Sequence, residues 1–259
     1  MMSKKLIPLV NVVIYFILLG AAMIIAGLIR PLNSPLFFFC LSFVLSFIFL
    51  RREGKNITSI GFIPKNSMNY LQLFLGLGIG VLMLIVTASL TFVLTGDQWV
   101  FSDRINAGPI LTIFLNCFCS SFAQEFVFRG YPFQSLHRHY GAWPAQLVVM
   151  VPFGLMHVHL AMPFGDFMLT LLTTGVGSLL FGLLYLKTKK LFLSIGLHTG
   201  WNFAQTLIPR TSPGEIDGII HVTQSQHHYN FFTVVLPYLI CIGLAFILFW
   251  QYRTKLSES

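Results

Sequence analysis

The stretch Ala123-Gln124-Glu125-Phe126-Val127-Phe128-Arg129-Gly130 sets a carboxylate and a guanidinium into surroundings that are otherwise apolar. Helical residues four apart share one face, so Glu125 and Arg129 are predicted to lie side by side. Ionisable groups within a membrane span are expensive and mark a functional site by default. The plainer reading, an internal ion pair that only steadies the fold, stays open at this point.

Working outward, the chain has 259 residues, of which 56% are hydrophobic, 15% aromatic and only 9% charged. Soluble proteins carry roughly a quarter charged residues. The composition is that of an integral membrane protein. The formal charge of +8 would suit a nucleic-acid partner, but the Lys and Arg residues stand in short clusters between apolar runs, which excludes a basic stripe on a polar domain and reads as topology. No nucleic acid is expected as partner; the lipid bilayer is. Cys40, Cys117, Cys119 and Cys241 fall inside apolar runs, where a thiol acts as a small hydrophobe, and Cys117-x-Cys119 alone is a weak metal signal.

Apolar runs cover about 6–29, 34–50, 68–95, 109 onward, 143–161, 167–186, 191–207 and 230–251. Each approaches the ~20 residues that a bilayer requires. The predicted fold is therefore all-α, a polytopic bundle of about eight transmembrane helices in a single integral-membrane domain over 1–259, with the motif-bearing core at about 108–207. Gly76 and Gly80 form a small-xxx-small pair that admits a close neighbour. Gly196 and Gly200 interrupt the seventh run. The fourth helix is expected to break near Pro132, with an amphipathic piece through His139 lying at the interface. Polar connectors are predicted at Asp97 to Arg104 and at Pro209 to Tyr229.

With eight alternating spans, one side holds Lys4, Lys5, Arg51, Arg52, Lys55, Lys65, Arg138, Lys187, Lys189, Lys190, Arg253 and Lys255, and the other only Arg30, Arg104 and Arg210. The positive-inside rule places the first side, and both termini, in the cytoplasm. Asp97, Asp103, Asp166, Glu215 and Asp217 fall on the opposite side. The cell membrane is the expected location if the source is bacterial.

Polar residues then recur within three spans: Gln124, Glu125 and Arg129 in the fourth, His157 and His159 in Phe153-Gly154-Leu155-Met156-His157-Val158-His159, and His198 with Asn202 in the seventh. His198 and Asn202 are again four apart on one face. Singly, each is more often interhelical glue than catalyst. Together they hold the parts needed to activate water and to stabilise an oxyanion. A carboxylate taken out of water becomes a stronger base, and a neighbouring guanidinium weakens it again.

In order and spacing, the Glu-xxx-Arg segment, Phe153-xxx-His157 and His198-xxx-Asn202 resemble the CAAX protease and bacteriocin-processing (Abi) family, intramembrane glutamic endopeptidases related to the type II CAAX prenyl endopeptidase. The resemblance covers about 123–205. It implies that His157 helps a catalytic glutamate orient water, that His198 and Asn202 line the oxyanion site, and that Arg129 supports the glutamate segment. The substrates it implies are a prenylated CAAX-type protein tail or a small peptide precursor.

The departure is at position 124. The family pattern opens with two adjacent glutamates and gives the water-activating role to the first, whereas this chain has Gln124 followed by Glu125. An amide is no general base near neutral pH. Three readings follow: Glu125 serves as the base, Gln124 is a natural loss that leaves a membrane peptide-binding or immunity protein, or Gln124 is an engineered exchange. Zinc on Glu125, His157 and His198 ranks below a metal-free site, because no His-Glu-xx-His motif is present. His159 is expected to be structural or loop-proximal, and the outer His221, His227 and His228 to be incidental. Straight spans with these boundaries would set Glu125 and His157 at opposite depths, so the boundaries of the fourth or fifth span are expected to shift.

Overall fold

The computed structural model describes residues 5–29, 32, 34–103, 105, 107–159, 161–211, 218–224 and 229–251. Lys4, Arg30, Arg104, Glu215, Asp217, His227, His228, Arg253 and Lys255 lie outside them. The described residues are overwhelmingly helical: α1 (Ile7–Gly27), α2 (Pro35–Arg52), α3 (Ser67–Thr95), α4 (Ala107–Arg129), α5 (Tyr131–Tyr140), α6 (Ala142–Leu155), α7 (Phe164–Thr188), α8 (Phe192–Leu207) and α9 (Leu236–Gln251). Side chains fix several starts. Ser34 accepts from the Phe37 amide at 3.3 Å and Asn66 from the Asn69 amide at 3.2 Å, each satisfying an amide that the first helical turn leaves unpaired.

Among the described residues six segments are long and apolar enough to cross a membrane: α1, α2, α3, α4 together with α5, α7, and α9 with the π turn Phe231–Val235 before it. Their outward residues are apolar, with Val93 74% and Ile24 73% exposed. Such surface is stable only against lipid. The chain is an all-α polytopic integral membrane protein.

Two of the eight expected spans are short. α6 has 14 residues and α8 has 16, so at ~1.5 Å per residue they fall below the ~30 Å hydrocarbon core. The fifth apolar run continues to Ala161, but α6 stops at Leu155, shortly after Pro152, and the His157 amide turns back to the Gly154 carbonyl at 3.0 Å. Proline removes a backbone donor and strains the preceding turn; hydrophobicity does not register that stop.

Two compact units are described. The first comprises α1, α2, α4 from Phe122 onward, α5, α6 and α7. In α5 the residues Tyr131, Pro132, Phe133, Gln134, Ser135 and Leu136 are all buried, while Arg138 and His139 are exposed. Tyr131 stacks on Phe49 at 5.2 Å and meets Tyr15 at 5.6 Å. Gln134 donates its amide to the Ile60 carbonyl at 3.0 Å, and Ser135 and Arg138 both bond the Glu53 carboxylate.

The second unit comprises α3, α4 up to Ser121, α8, two short strands and α9. Here α8 runs unbroken through Gly196 and Gly200, which do not interrupt it. A Cβ at Gly76 or Gly80 would collide with the Leu193 or Leu197 carbonyl of α8, and one at Gly196 or Gly200 with the Leu73 or Leu77 carbonyl of α3. The two backbones touch along a seam of four glycines, the close approach that small residues permit. The polar connectors hold structure as well: β1 (Gln98–Phe101) pairs antiparallel with β2 (Ile220–Gln224). Ser102 Oγ lies 2.6 Å from His221 Nε2 and the Tyr229 hydroxyl donates to Asp97 at 3.3 Å, so His221 locks a loop.

Candidate functional site

α4 ends at Arg129 because the chain turns at Gly130, where a Cβ would meet the Phe126 carbonyl, and α5 restarts with Pro132 in its first turn. The turn leaves Glu125 and Arg129 on the last turn of α4, fully enclosed at 0% and 1% exposure. Their ion pair spans 3.3 Å, from Nη1 to Oε1. A cation at a helix C-terminus also complements the helix dipole.

Arg129 has further partners. Its Nη2 donates to the Ser178 carbonyl of α7. Its guanidinium carbon lies 4.8 Å from the ring centroid of Phe153 and 5.1 Å from that of Phe181. A planar, weakly hydrated cation suits aromatic faces. The Phe153 ring in turn meets the His157 imidazole at 5.0 Å, and the Phe153 carbonyl lies 2.9 Å from His157 Nδ1. Glu125, Arg129, Phe153 and His157 thus form one connected group inside the first unit, drawn from α4, α6 and the turn after it. α6 ends earlier than expected, so that Phe153 reaches Arg129 and His157 lies just beyond the helix end.

The other expected residues fall as follows. Gln124, half-buried, precedes Glu125 about 100° around α4. His159 is exposed. His198, buried at 4% exposure, and Asn202, half-buried, share a face of α8 in the second unit, and the Asn202 carbonyl accepts from Thr206 Oγ1 at 3.0 Å. Among the residues proposed as zinc ligands, Glu125 and His157 are in the first unit and His198 in the second. Among the described residues, neither unit gathers three or more His, Cys, Asp or Glu side chains able to hold a metal ion.

Sequence reasoning missed Ser178 and Phe181. Ser178 contributes through its backbone, which any residue supplies, and Phe181 is one of 27 phenylalanines. Neither carries a signal in the sequence. The first unit also holds an apolar groove of about 670 Å³, with Phe16, Gly20, Phe128, Pro152 and Met156 in its wall. Phe128 and Met156 are the direct sequence neighbours of Arg129 and His157.

Residues 106–204 match the family described as Type II CAAX prenyl endopeptidase Rce1-like. The match runs from the start of α4 to the last turn of α8 and takes in every residue of the expected site. No curated protein matches the chain. Through residues 106–204 the chain is similar to the family described as Type II CAAX prenyl endopeptidase Rce1-like.

Proposed function

We propose that the chain is an intramembrane endopeptidase that hydrolyses a peptide bond in a membrane-associated substrate, a prenylated CAAX-type tail or a small peptide precursor. One observation carries the reading beyond the family relation: a fully enclosed carboxylate, Glu125, is joined through Arg129 and Phe153 to a histidine at the end of a short helix. Glu125 takes a proton from water that His157 helps to orient. The hydroxide attacks the scissile carbonyl carbon; stabilising the developing oxyanion is the role that the family resemblance implies for His198 and Asn202. Collapse breaks the C–N bond, and the proton held by Glu125 goes to the leaving amine. The reaction consumes one water and needs no metal in this reading. In this reading both termini face the cytoplasm, the side that the positive-inside rule gives to the basic clusters.

The groove supports a lipid-modified substrate. Its wall is apolar and runs to the neighbours of Arg129 and His157, so a prenyl chain laid in it brings the attached peptide toward the site. Gly20 lines the groove and a Cβ there meets nothing within 4 Å, so Gly20→Phe is the variant chosen to obstruct it. The expected result is a rise in KM for a prenylated peptide with none for its unprenylated counterpart; equal effects on both would remove the groove from substrate binding.

Gln124 favours one other reading, a family member of impaired activity that binds peptides in the membrane or confers immunity. Purified protein in detergent, assayed on prenylated and plain peptides, separates the two. Cleavage that falls by about 10²-fold or more in Glu125→Ala, the scale of a lost general base, fits the protease. No cleavage by the natural chain together with strong cleavage by Gln124→Glu fits the impaired member. Elemental analysis with a chelator control tests the metal-free mechanism: stoichiometric zinc whose removal abolishes cleavage would overturn it.

A further inference from the structure

We infer that Phe153 is a positioning residue that fixes the tautomer and orientation of His157 while holding Arg129 in register. The functional part of this inference rests on the proteolytic reading above; the tautomer does not. A carbonyl oxygen only accepts hydrogen bonds, so the 2.9 Å contact between the Phe153 carbonyl and His157 Nδ1 requires the proton on Nδ1. In the neutral imidazole the lone pair then belongs to Nε2. Nε2 is therefore the nitrogen able to accept a proton from water, or to accept a hydrogen bond from water as it is oriented.

The ring of the same residue performs the second task. Its centroid lies 4.8 Å from the Arg129 guanidinium carbon and 5.0 Å from the His157 ring centroid, with the two rings inclined by 36°. One phenyl group thus contacts both the cation and the imidazole. Phe181 meets the guanidinium at 5.1 Å, so α7 supplies a second aromatic contact, and the Ser178 carbonyl fixes Nη2. Arg129 is consequently restrained by α4, α6 and α7 together. His157 lies just beyond the last residue of α6, its amide turned back to the Gly154 carbonyl, and the Phe153 ring and carbonyl both contact its imidazole. A leucine at 153 would keep the carbonyl but lose the flat surface against which the imidazole rests.

The test reads the imidazole directly. The full-length protein is labelled with ¹⁵N-histidine in micelles, and the His157 signals are assigned by their loss in His157→Gln. The expected spectrum shows a protonated Nδ1 and an unprotonated Nε2 at a pH where the ring is neutral. Phe153→Leu is expected to give mixed tautomers, and Phe153→Tyr, which keeps the aromatic face, to restore the single one. Phe181→Leu, which leaves the His157 contacts in place, is expected to keep the tautomer. Under the proteolytic reading, Phe153→Leu lowers kcat about tenfold with KM within about twofold, the scale of a desolvated cation–π contact, and Phe153→Tyr recovers most of the loss. A proton on Nε2 in the natural chain, or a single Nδ1–H tautomer undisturbed in a folded Phe153→Leu protein, overturns the inference whether or not any peptide is cleaved. Absence of cleavage with the expected spectra overturns only the proteolytic reading.

Discussion

In the first unit Arg129 is enclosed by adding partners: a carboxylate on its own helix, a carbonyl and a ring from α7, and a ring from α6. In the second unit α3 and α8 are joined by subtraction, with Gly76, Gly80, Gly196 and Gly200 letting backbone rest on backbone. The two regions are vulnerable to opposite changes. The polar cluster fails when an atom is removed, because a charge is left without compensation. The glycine seam fails when an atom is added.

The largest expected effect follows from removal. Glu125→Ala strands the Arg129 guanidinium in a site with 1% exposure, and breaking a buried pair in this way costs about 3–5 kcal/mol. The double variant Glu125→Ala, Arg129→Met is expected to regain much of that loss, since apolar replacement of a whole buried pair is often close to neutral. Thermal unfolding in detergent of the natural chain, the single and the double variant measures both. Equal destabilisation by the single and double variants would show that the pair itself contributes little.

Addition comes next. Gly80→Ala and Gly200→Ala each place a methyl against a carbonyl of the facing helix, and overpacking of this kind costs about 1–3 kcal/mol. Gly78→Ala is the control on the same helix, because a Cβ there meets nothing within 4 Å. Its melting temperature is expected to match or exceed that of the natural chain, since alanine is the better helix former. Similar losses at 78 and 80 would show that helix propensity, and not the seam, sets the effect.

The same contrast explains what could be read from the sequence. Glu125 and Arg129 were legible as neighbours because a charge in an apolar run is conspicuous and four residues is a helical repeat. Gly76 and Gly80 were legible as a close-packing pair for the analogous reason. Their counterparts Gly196 and Gly200 read as interruptions, because glycine disfavours helix locally and only the facing carbonyls reveal its purpose. The end of α6 was hidden by apolar residues that continue past it, whereas α8 ends at Leu207, where the seventh apolar run ends. Ser178 acts through its backbone and Phe181 through a ring found in many places along the chain, so only the folded arrangement of α4, α6 and α7 singles them out. The roles of His198 and Asn202 rest on the family relation together with their shared face on α8.

A smaller effect is expected where a hydrogen bond is removed without stranding a charge. The Tyr15 hydroxyl is buried in the first unit, 3.1 Å from Ser46 Oγ and 3.4 Å from the Ser42 carbonyl, and so links α1 to α2. Tyr15→Phe keeps the ring contacts with Phe49 and Tyr131. The expected loss is about 1 kcal/mol, the net worth of an ordinary intramolecular hydrogen bond. The same thermal assay measures it, and a loss as large as that of Glu125→Ala would erase the distinction between burying a charge and burying a hydroxyl.

The smallest effect belongs to a second ion pair of the first unit. Arg138 meets Glu53 between α5 and the end of α2, with side chains 31% and 15% exposed, whereas Arg129 and Glu125 are 1% and 0% exposed. Water reaches both Arg138 and Glu53 and can solvate whichever partner is left, so Arg138→Ala is expected to cost about 0.2–1 kcal/mol. Because screening acts on accessible charges and little on enclosed ones, that cost should shrink further in high salt, while the cost of Glu125→Ala should hardly change. The comparison uses two carboxylate–guanidinium pairs in one unit, so chemistry is held constant and burial is the variable. Ser135, which also donates to Glu53, stays in place and keeps the carboxylate bonded. A salt-independent loss at Arg138 as large as that at Glu125 would mean that Arg138 holds α5 by packing of its stem and not by its charge.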